Sequence, residues 1–530
     1  MNIRSNLPVD VSDFKKLINR NKIYVDKTNI IEKIISLRGT YYFLSRPRRF
    51  GKSLLLSTFK ELFEGNKELF KDLYIYNNWE WNKTYPVIHV DLNEIKSDTI
   101  ENFEKSLNFI IDSIALNEFS MDLKAELSNN KLKELINNIH GSTGKNVVVL
   151  VDEYDKPILS NINDEKLAIG IRNSLKDFYG ALKSADSKLE FVFITGVSKF
   201  SKVSIFSDLN NLIDLTIDPN FSNICGYTQD EIEAYFYDYL VEISENNEIS
   251  VNYLLELIKQ WYNGYSWDGK KFLYTPFSIL SFLNNNGVFN NYWFETGTPS
   301  FLMDLIKKNT NIDVLFDENL KLYGTFPNFD IKNLDLKTVL LQSGYLTIKD
   351  SKIVPGELPI YSLDIPNKEV RKSLFSYILG SYINKTAESV YPIANDLFRQ
   401  LIEIDENGFT KSLETLFSNI PYSLHSKLND MEAFYHVLFL SWMKIIGFEI
   451  QGEIIQLKGR VDAVLLKENI AVILELKFSK TKSIDNILDE AINQILEKEY
   501  YKPYQDKKII LIGIAFKEKE IKSRIEEFKT

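Results

Sequence analysis

Apolar residues fall along this chain in two rhythms. Short, nearly continuous apolar runs occur at Tyr41-Tyr42-Phe43-Leu44, Pro86–Leu92, Asn146–Val151, Phe191–Thr195 and Leu212–Thr216. Such runs without polar alternation predict strands buried on both faces, as in a parallel sheet. Between them, apolar residues recur three and four apart over Asn29–Ser36, Ser53–Phe63 and Thr99–Ile139, and again at Leu175, Phe178, Tyr179 and Leu182. That spacing predicts helices, the first capped by Thr28. Strands alternating with helices predict a parallel sheet flanked by helices.

The texture changes near Asp218. Thr228 and Glu231 have the spacing of a helix cap, and helical periodicity then runs to about Lys308. The aromatic stretch Trp261-Tyr262-Asn263-Gly264-Tyr265-Ser266-Trp267 reads as a packed turn, with a ligand cage as the alternative. Residues 310–420 predict helices and a short β piece at Gly344–Ile348. Helical spacing returns at Asn429–Ile446, followed by strand-like Phe448–Ile454, Val461–Leu466 and Ala471–Phe478. Three domains are expected: 1–220, a mainly helical 221–380, and 381–530.

Composition narrows the picture. The chain has 530 residues, 44% hydrophobic and 26% charged, a soluble globular balance with room for several cores. A net charge of −10 argues against a generally basic, sticky protein, and the charges from 431 to 530 balance, so no basic patch marks that end. One cysteine, Cys225, excludes an internal disulfide framework and is compatible with a reducing cytoplasm, the location expected. Four scattered histidines make a poor zinc site. No secretory signal pattern appears, and no apolar run reaches the roughly 18 residues of a membrane span, so a membrane partner is not expected.

The chemistry begins where the first apolar run meets the Ser53 helix, at Arg46-Pro47-Arg48-Arg49-Phe50-Gly51-Lys52-Ser53. Strand, tight loop and helix form the setting of a phosphate-binding loop. Its backbone N–H groups and helix dipole cradle a polyphosphate. Lys52 would reach the β- and γ-phosphates, and the Ser53 hydroxyl would hold Mg²⁺. The general pattern has glycine where Arg46 stands, a position expected to need glycine's conformational freedom. Arg46, Arg48 and Arg49 make the loop unusually basic. A basic surface turn before a core helix is the bland alternative. Against it stands the run ending in Val151-Asp152-Glu153, about 100 residues downstream, which has the Walker B form. Asp152 would hold Mg²⁺, and Glu153 would polarise the water attacking the γ-phosphate. Thr195 and Ser198 end the next strand. They either sense the γ-phosphate or are ordinary strand-end polar residues.

A second constellation lies near the C-terminal end. Val461–Leu466 and Ala471–Phe478, paired antiparallel, would bring Asp462, Glu475 and Lys477 together, since Glu475 and Lys477 share a strand face. Two carboxylates can hold Mg²⁺ at a phosphodiester, and a lysine can position the nucleophile and stabilise developing charge. Glu432 on the preceding helix would complete the metal shell. Gln494 or Tyr500 would orient the site.

Together these motifs resemble an AAA-ATPase-like P-loop NTPase domain followed by a PD-(D/E)XK nuclease superfamily domain. The carrying stretches are Tyr24-Val25-Asp26-Lys27-Thr28, Arg46–Ser53, Val151–Pro157 and Ile194–Phe200 for the first, and Asp462, Glu475-Leu476-Lys477, Glu432 and Gln494 for the second. The resemblance implies a P-loop parallel sheet, a winged-helix-type extension and a restriction-endonuclease-like α/β domain. It implies ATP at Arg46, Arg48, Arg49, Phe50, Gly51, Lys52, Ser53, Asp152 and Thr195, with Mg²⁺ at Ser53, Asp152, Asp462 and Glu475. The implied catalytic set is Asp462, Glu475, Lys477, Glu432, Gln494 and Glu153. Three functions follow as expectations. The first is an ATP-regulated nuclease acting on nucleic acid, with DNA favoured. The second is a non-catalytic switch that recruits a protein partner. The third is a DNA-stimulated motor, which would require a homo-oligomer and an arginine in trans such as Arg172.

Overall fold

The buried apolar runs become strands of one parallel sheet. β1 spans Tyr41–Ser45, β2 Val87–Asp91, β3 Val147–Asp152, β4 Leu189–Gly196 and β5 Ile213–Asp214. The order is β2-β3-β4-β1-β5, with every neighbouring pair parallel. All of β1 and β3 is buried, as strands covered on both faces should be. Register pairs Ser45 with Gly196 and Asp91 with Asp152, so the chemically interesting ends share one edge. That carboxyl edge is where open α/β sheets bind ligands.

This computed structural model describes residues 6–200, 205–206, 209, 211–293, 302, 305–306, 312–317, 319–383, 387–418, 431–456, 459–479, 481–517 and 520–528. They fall into two compact units, Met1–Leu302 with Lys321–Asn367, and Met303–Leu320 with Lys368–Thr530.

Two sequence expectations need adjustment in the first unit. The helical stretch from Thr99 divides into Ile100–Phe119 and Ser128–Thr143, because Ser120 turns left-handed (φ 54°) and closes the first helix. β5 keeps only two residues of its apolar run. Beyond Asp214, the Ser45 amide bonds the Thr216 hydroxyl (3.2 Å) instead of a ladder carbonyl.

The extension begins as read, with a capping box in which Thr228 and Glu231 each satisfy the other's backbone amide. Helices Gln229–Asn246, Val251–Tyr262 and Pro276–Asn284 follow. The region is less purely helical than its periodicity suggests. Helix Leu336–Ser343 precedes β7 (Thr347–Lys352) and β8 (Ile360–Asp364), which pair antiparallel, with β6 (Lys321–Tyr323) on the far edge of β8. Gly264 fixes one close approach here. Its φ is +127°, and an added Cβ would lie 1.9 Å from the Pro366 carbonyl oxygen. Gly264→Ala is therefore expected to destabilise the first unit by about 3 kcal/mol or more, read from denaturant unfolding. Unchanged stability would show that the backbone relaxes around the new methyl.

The second unit carries helices Lys368–Ile383, Ala387–Glu403, Glu406–Ser418 and Met431–Ile446. A five-stranded sheet follows: β9 (Glu449–Gln456), β10 (Gly459–Lys467), β11 (Ile470–Phe478), β12 (Lys508–Lys517) and β13 (Glu520–Phe528). β9, β10 and β11 form an antiparallel meander. β11 and β12 are parallel, and helix Ile484–Lys498 supplies the crossover such a pair needs. That helix packs Ile492 and Ile495 onto Val464, Ile473 and Leu511. Among the described residues, no helix is long and apolar enough to cross a membrane.

Candidate functional site

The loop after β1 turns directly into helix Lys52–Phe63. Gly51 caps it in a left-handed conformation (φ 94°), and Arg49 is left-handed too (φ 64°). Arg46 is not among the positive-φ residues, so glycine's freedom is not needed there. Lys52 is buried. Its ammonium donates to the carbonyls of Arg46 and Pro47 (both 3.2 Å) and pairs with Glu153 (3.3 Å). A buried cation is thus held at a helix N-terminus by two carbonyls and one carboxylate.

β3 delivers its acids to the same edge. Thr195 donates its hydroxyl to Asp152 Oδ1 (2.7 Å), which fixes that carboxylate from the neighbouring strand. Glu153 is left-handed (φ 50°), a conformation held for a non-glycine residue only by its surroundings. Behind it, Asp155 accepts from the amides of Val197 and Ser198 and braces the turn after β4. Burial, and then the nearby Glu153, push the Asp155 carboxyl up to about 6. Arg49, Gly51, Lys52, Ser53, Glu153 and Lys27 line part of one cavity of about 390 Å³, the size of a small-molecule site. Arg172 does not line it; its guanidinium bonds Asn173 on helix Glu165–Ser184.

In the second unit, Asp462 on β10 and Glu475 on β11 face each other. Asp462 N donates to Glu475 Oε2 (3.4 Å), and Leu476 N to Asp462 Oδ2 (2.7 Å). Lys477 Nζ lies 2.7 Å from Glu475 Oε1. Glu475 is wholly buried, and burial, then the adjacent Asp462, push its carboxyl up to about 7. The Tyr500 hydroxyl is hydrogen-bonded to the Gln494 side chain and lies in the field of Glu475, Lys477 and Asp462. Glu432 sits on helix Met431–Ile446, but its side chain lies outside the described residues.

The family model described as "Predicted AAA-ATPase" matches residues 8–206, and that of the "PD-(D/E)XK nuclease superfamily" matches 430–526. An "Uncharacterized protein in vnfD 5'region" of Azotobacter chroococcum mcd 1 is 33% identical over 520 residues, covering 97% of this chain and 96% of that one. The chain belongs to this family of predicted AAA-ATPases with a PD-(D/E)XK nuclease domain. A solved structure of the Aeropyrum pernix ORC2 protein (ADPNP–ADP complexes) matches at 11% identity and a TM-score of 0.24, covering 63% of this chain and 87% of that one, too distant to inform function.

In the AAA-ATPase-like domain, the sequence did not point to what packs against the phosphate loop. Phe50 meets Tyr265 and Trp267 edge-on (4.9 and 5.2 Å between ring centroids). The Trp293 indole N–H donates to the Arg48 carbonyl (3.0 Å), and Arg49 stacks 3.9 Å over Phe277. The aromatic Trp261–Trp267 stretch is thus a packed turn at its far end, seated on the loop. Rings 200 residues away leave no local signal in the loop's own sequence.

In the nuclease domain, the donor set suits a hard divalent cation. Two carboxylates meet, one of them buried and reluctant to ionise alone. A cation held by this pair would have to displace the Glu475 proton. Its folded value exceeds the usual carboxylate range, so the proton is bound below about pH 7 and released above it. Mg²⁺ affinity is therefore expected to rise about tenfold per pH unit up to pH 7 and then level off, measured by calorimetry. The same Glu475 contributes stability in its protonated form, which fades as pH rises through 7. A pH-independent affinity would place the metal elsewhere.

Proposed function

We propose that this chain is an ATP-regulated, Mg²⁺-dependent nuclease acting on DNA in the cytoplasm. Residues 1–220 form its ATPase module, 221–380 an extension and 381–530 its nuclease module. The observation that carries this is the meeting of Asp462, wholly buried Glu475 and Lys477 on two adjacent strands. Asp462 and Glu475 would hold Mg²⁺, which when bound supplies Lewis-acid activation of water and phosphodiester. The Lys477 ammonium, now on Glu475, would turn to the scissile phosphate. There it would orient the nucleophile and stabilise charge on the phosphoryl oxygens. Gln494 and Tyr500 would hold the surroundings in place.

In the ATPase module, Lys52 would leave Glu153 for the β- and γ-phosphates. Glu153, released, becomes the base that polarises the attacking water. Asp152, held by Thr195, and Ser53 would hold Mg²⁺ beside them. For nucleotide to govern cleavage, ATP must bind two states of the chain with different affinity.

The test is cleavage of labelled single- and double-stranded DNA, with RNA in parallel, in Mg²⁺ or Mn²⁺, with and without ATP. Cleavage that shifts with ATP only while Lys52 is intact supports the proposal. A second reading, an ATP-dependent switch that recruits a protein partner, is favoured by the seating of the extension's rings on the phosphate loop. ATP binding without cleavage of any substrate would select it.

A further inference from the structure

Arg46 stands where phosphate loops carry glycine, yet its side chain is fully buried. Its guanidinium donates to four carbonyl oxygens: Ser45 (2.9 Å), Thr216 (2.8 Å), Phe221 and Ser222 (both 3.4 Å). It also lies 4.0 Å beneath the ring of Trp267, and its Nε is buried without a hydrogen-bond partner. Burial pulls its pKa down only to about 10, so it remains a cation. Its direct partners are therefore neutral dipoles and a π face. The carboxylates of Asp214 and Asp268 also lie in its field. The Arg46 carbonyl is also one of the two that hold the Lys52 ammonium. One residue thus anchors the loop's first turn, places its lysine and supplies a buried positive charge behind it.

Trp267 covers the Arg46 guanidinium that these carbonyls hold. It belongs to the extension, and it touches both Arg46 and Phe50, two residues of the loop. Neighbouring groups repeat the pattern: Gly344 lies so close to Pro47 that a Cβ would sit 2.8 Å from its ring. We propose that Trp267 is a positioning residue for nucleotide binding: through its π face on Arg46 it fixes the phosphate loop, and with it the Arg46 carbonyl that places the Lys52 ammonium for the polyphosphate. This rests on the proposal that the loop binds ATP. Affinity should therefore depend on the extension's ring and on the number of phosphates in the ligand.

The experiment is calorimetric binding of ATP, ADP and AMP to the full chain. The variants are Trp267→Tyr, Trp267→Phe and Trp267→Leu, each alone and with Arg46→Gly, and melting temperatures are recorded throughout. ATP affinity is expected to fall in the order Trp, Tyr, Phe, Leu, the order of π-face strength, reaching about tenfold at Leu. The loss should be larger for ATP than for AMP, which a merely loosened fold would not produce. In the Arg46→Gly background, the ring series should flatten, because the ring acts through the guanidinium. If Trp267→Leu does not fold, the Tyr and Phe variants carry the test. A flat ring series with wild-type ATP binding intact overturns the proposal, as does an equal loss for all three nucleotides. No nucleotide binding by the wild type would instead overturn the ATP-binding proposal beneath it.

Discussion

Lys477→Ala is expected to lower metal-dependent cleavage by about a thousandfold, the scale of losing a charge-stabilising or proton-handling group. Two effects act in the same direction. The ammonium that would face the developing phosphoryl charge is gone. Glu475, already pushed up to about 7 by burial and by Asp462, also loses the cation 2.7 Å away that favours its ionised form. The variant should therefore also need a higher pH to bind metal. Lys477→Arg restores the charge but not the compact geometry, and should recover metal binding more fully than cleavage. Because Lys477 is partly exposed, the alanine variant should fold, which circular dichroism and the melting temperature would check. Undiminished cleavage by folded Lys477→Ala would remove this site from the chemistry.

The strands of the ATPase-like sheet were legible because parallel strands bury both faces, and unbroken apolar runs such as Val147–Val151 have few other uses. The Asp462–Glu475–Lys477 cluster was legible for a related reason. Period-two spacing puts Glu475 and Lys477 on one face, and the turn between two strand-like runs brings Asp462 opposite them. What escaped was whatever depends on long-range packing. The pattern of phosphate loops marks Arg46 as a misplaced residue, but its tolerance is decided by Thr216, Phe221, Ser222 and Trp267, all more than 160 residues away in sequence. Likewise, the split at Ser120 is set by a left-handed cap on a residue type that also fits helix interiors. Of the extension's three-stranded sheet only the start of β7 was legible, at Gly344–Ile348; β6 and β8 alternate in burial, but over three and five residues that is too short a pattern to stand out.

Glu153→Gln is expected to separate the two halves of the ATPase chemistry, lowering hydrolysis by about a hundredfold or more while ATP affinity rises. The amide fills the same space but cannot take a proton, so the attacking water loses its base. Affinity moves the other way because Glu153 now holds Lys52 at 3.3 Å, and ATP must break that ion pair to bind. Removing the carboxylate leaves the Lys52 ammonium on the two loop carbonyls alone, so less is lost when a phosphate takes it. Thr195→Val should behave differently. It frees Asp152 from its 2.7 Å hydrogen bond and should weaken Mg²⁺-dependent nucleotide binding without sparing hydrolysis. Single-turnover hydrolysis and calorimetry on both variants would distinguish the roles. Hydrolysis unaffected by Glu153→Gln would assign the base elsewhere. Weaker ATP binding by that variant would mean that Glu153 supports the nucleotide rather than competing with it for Lys52.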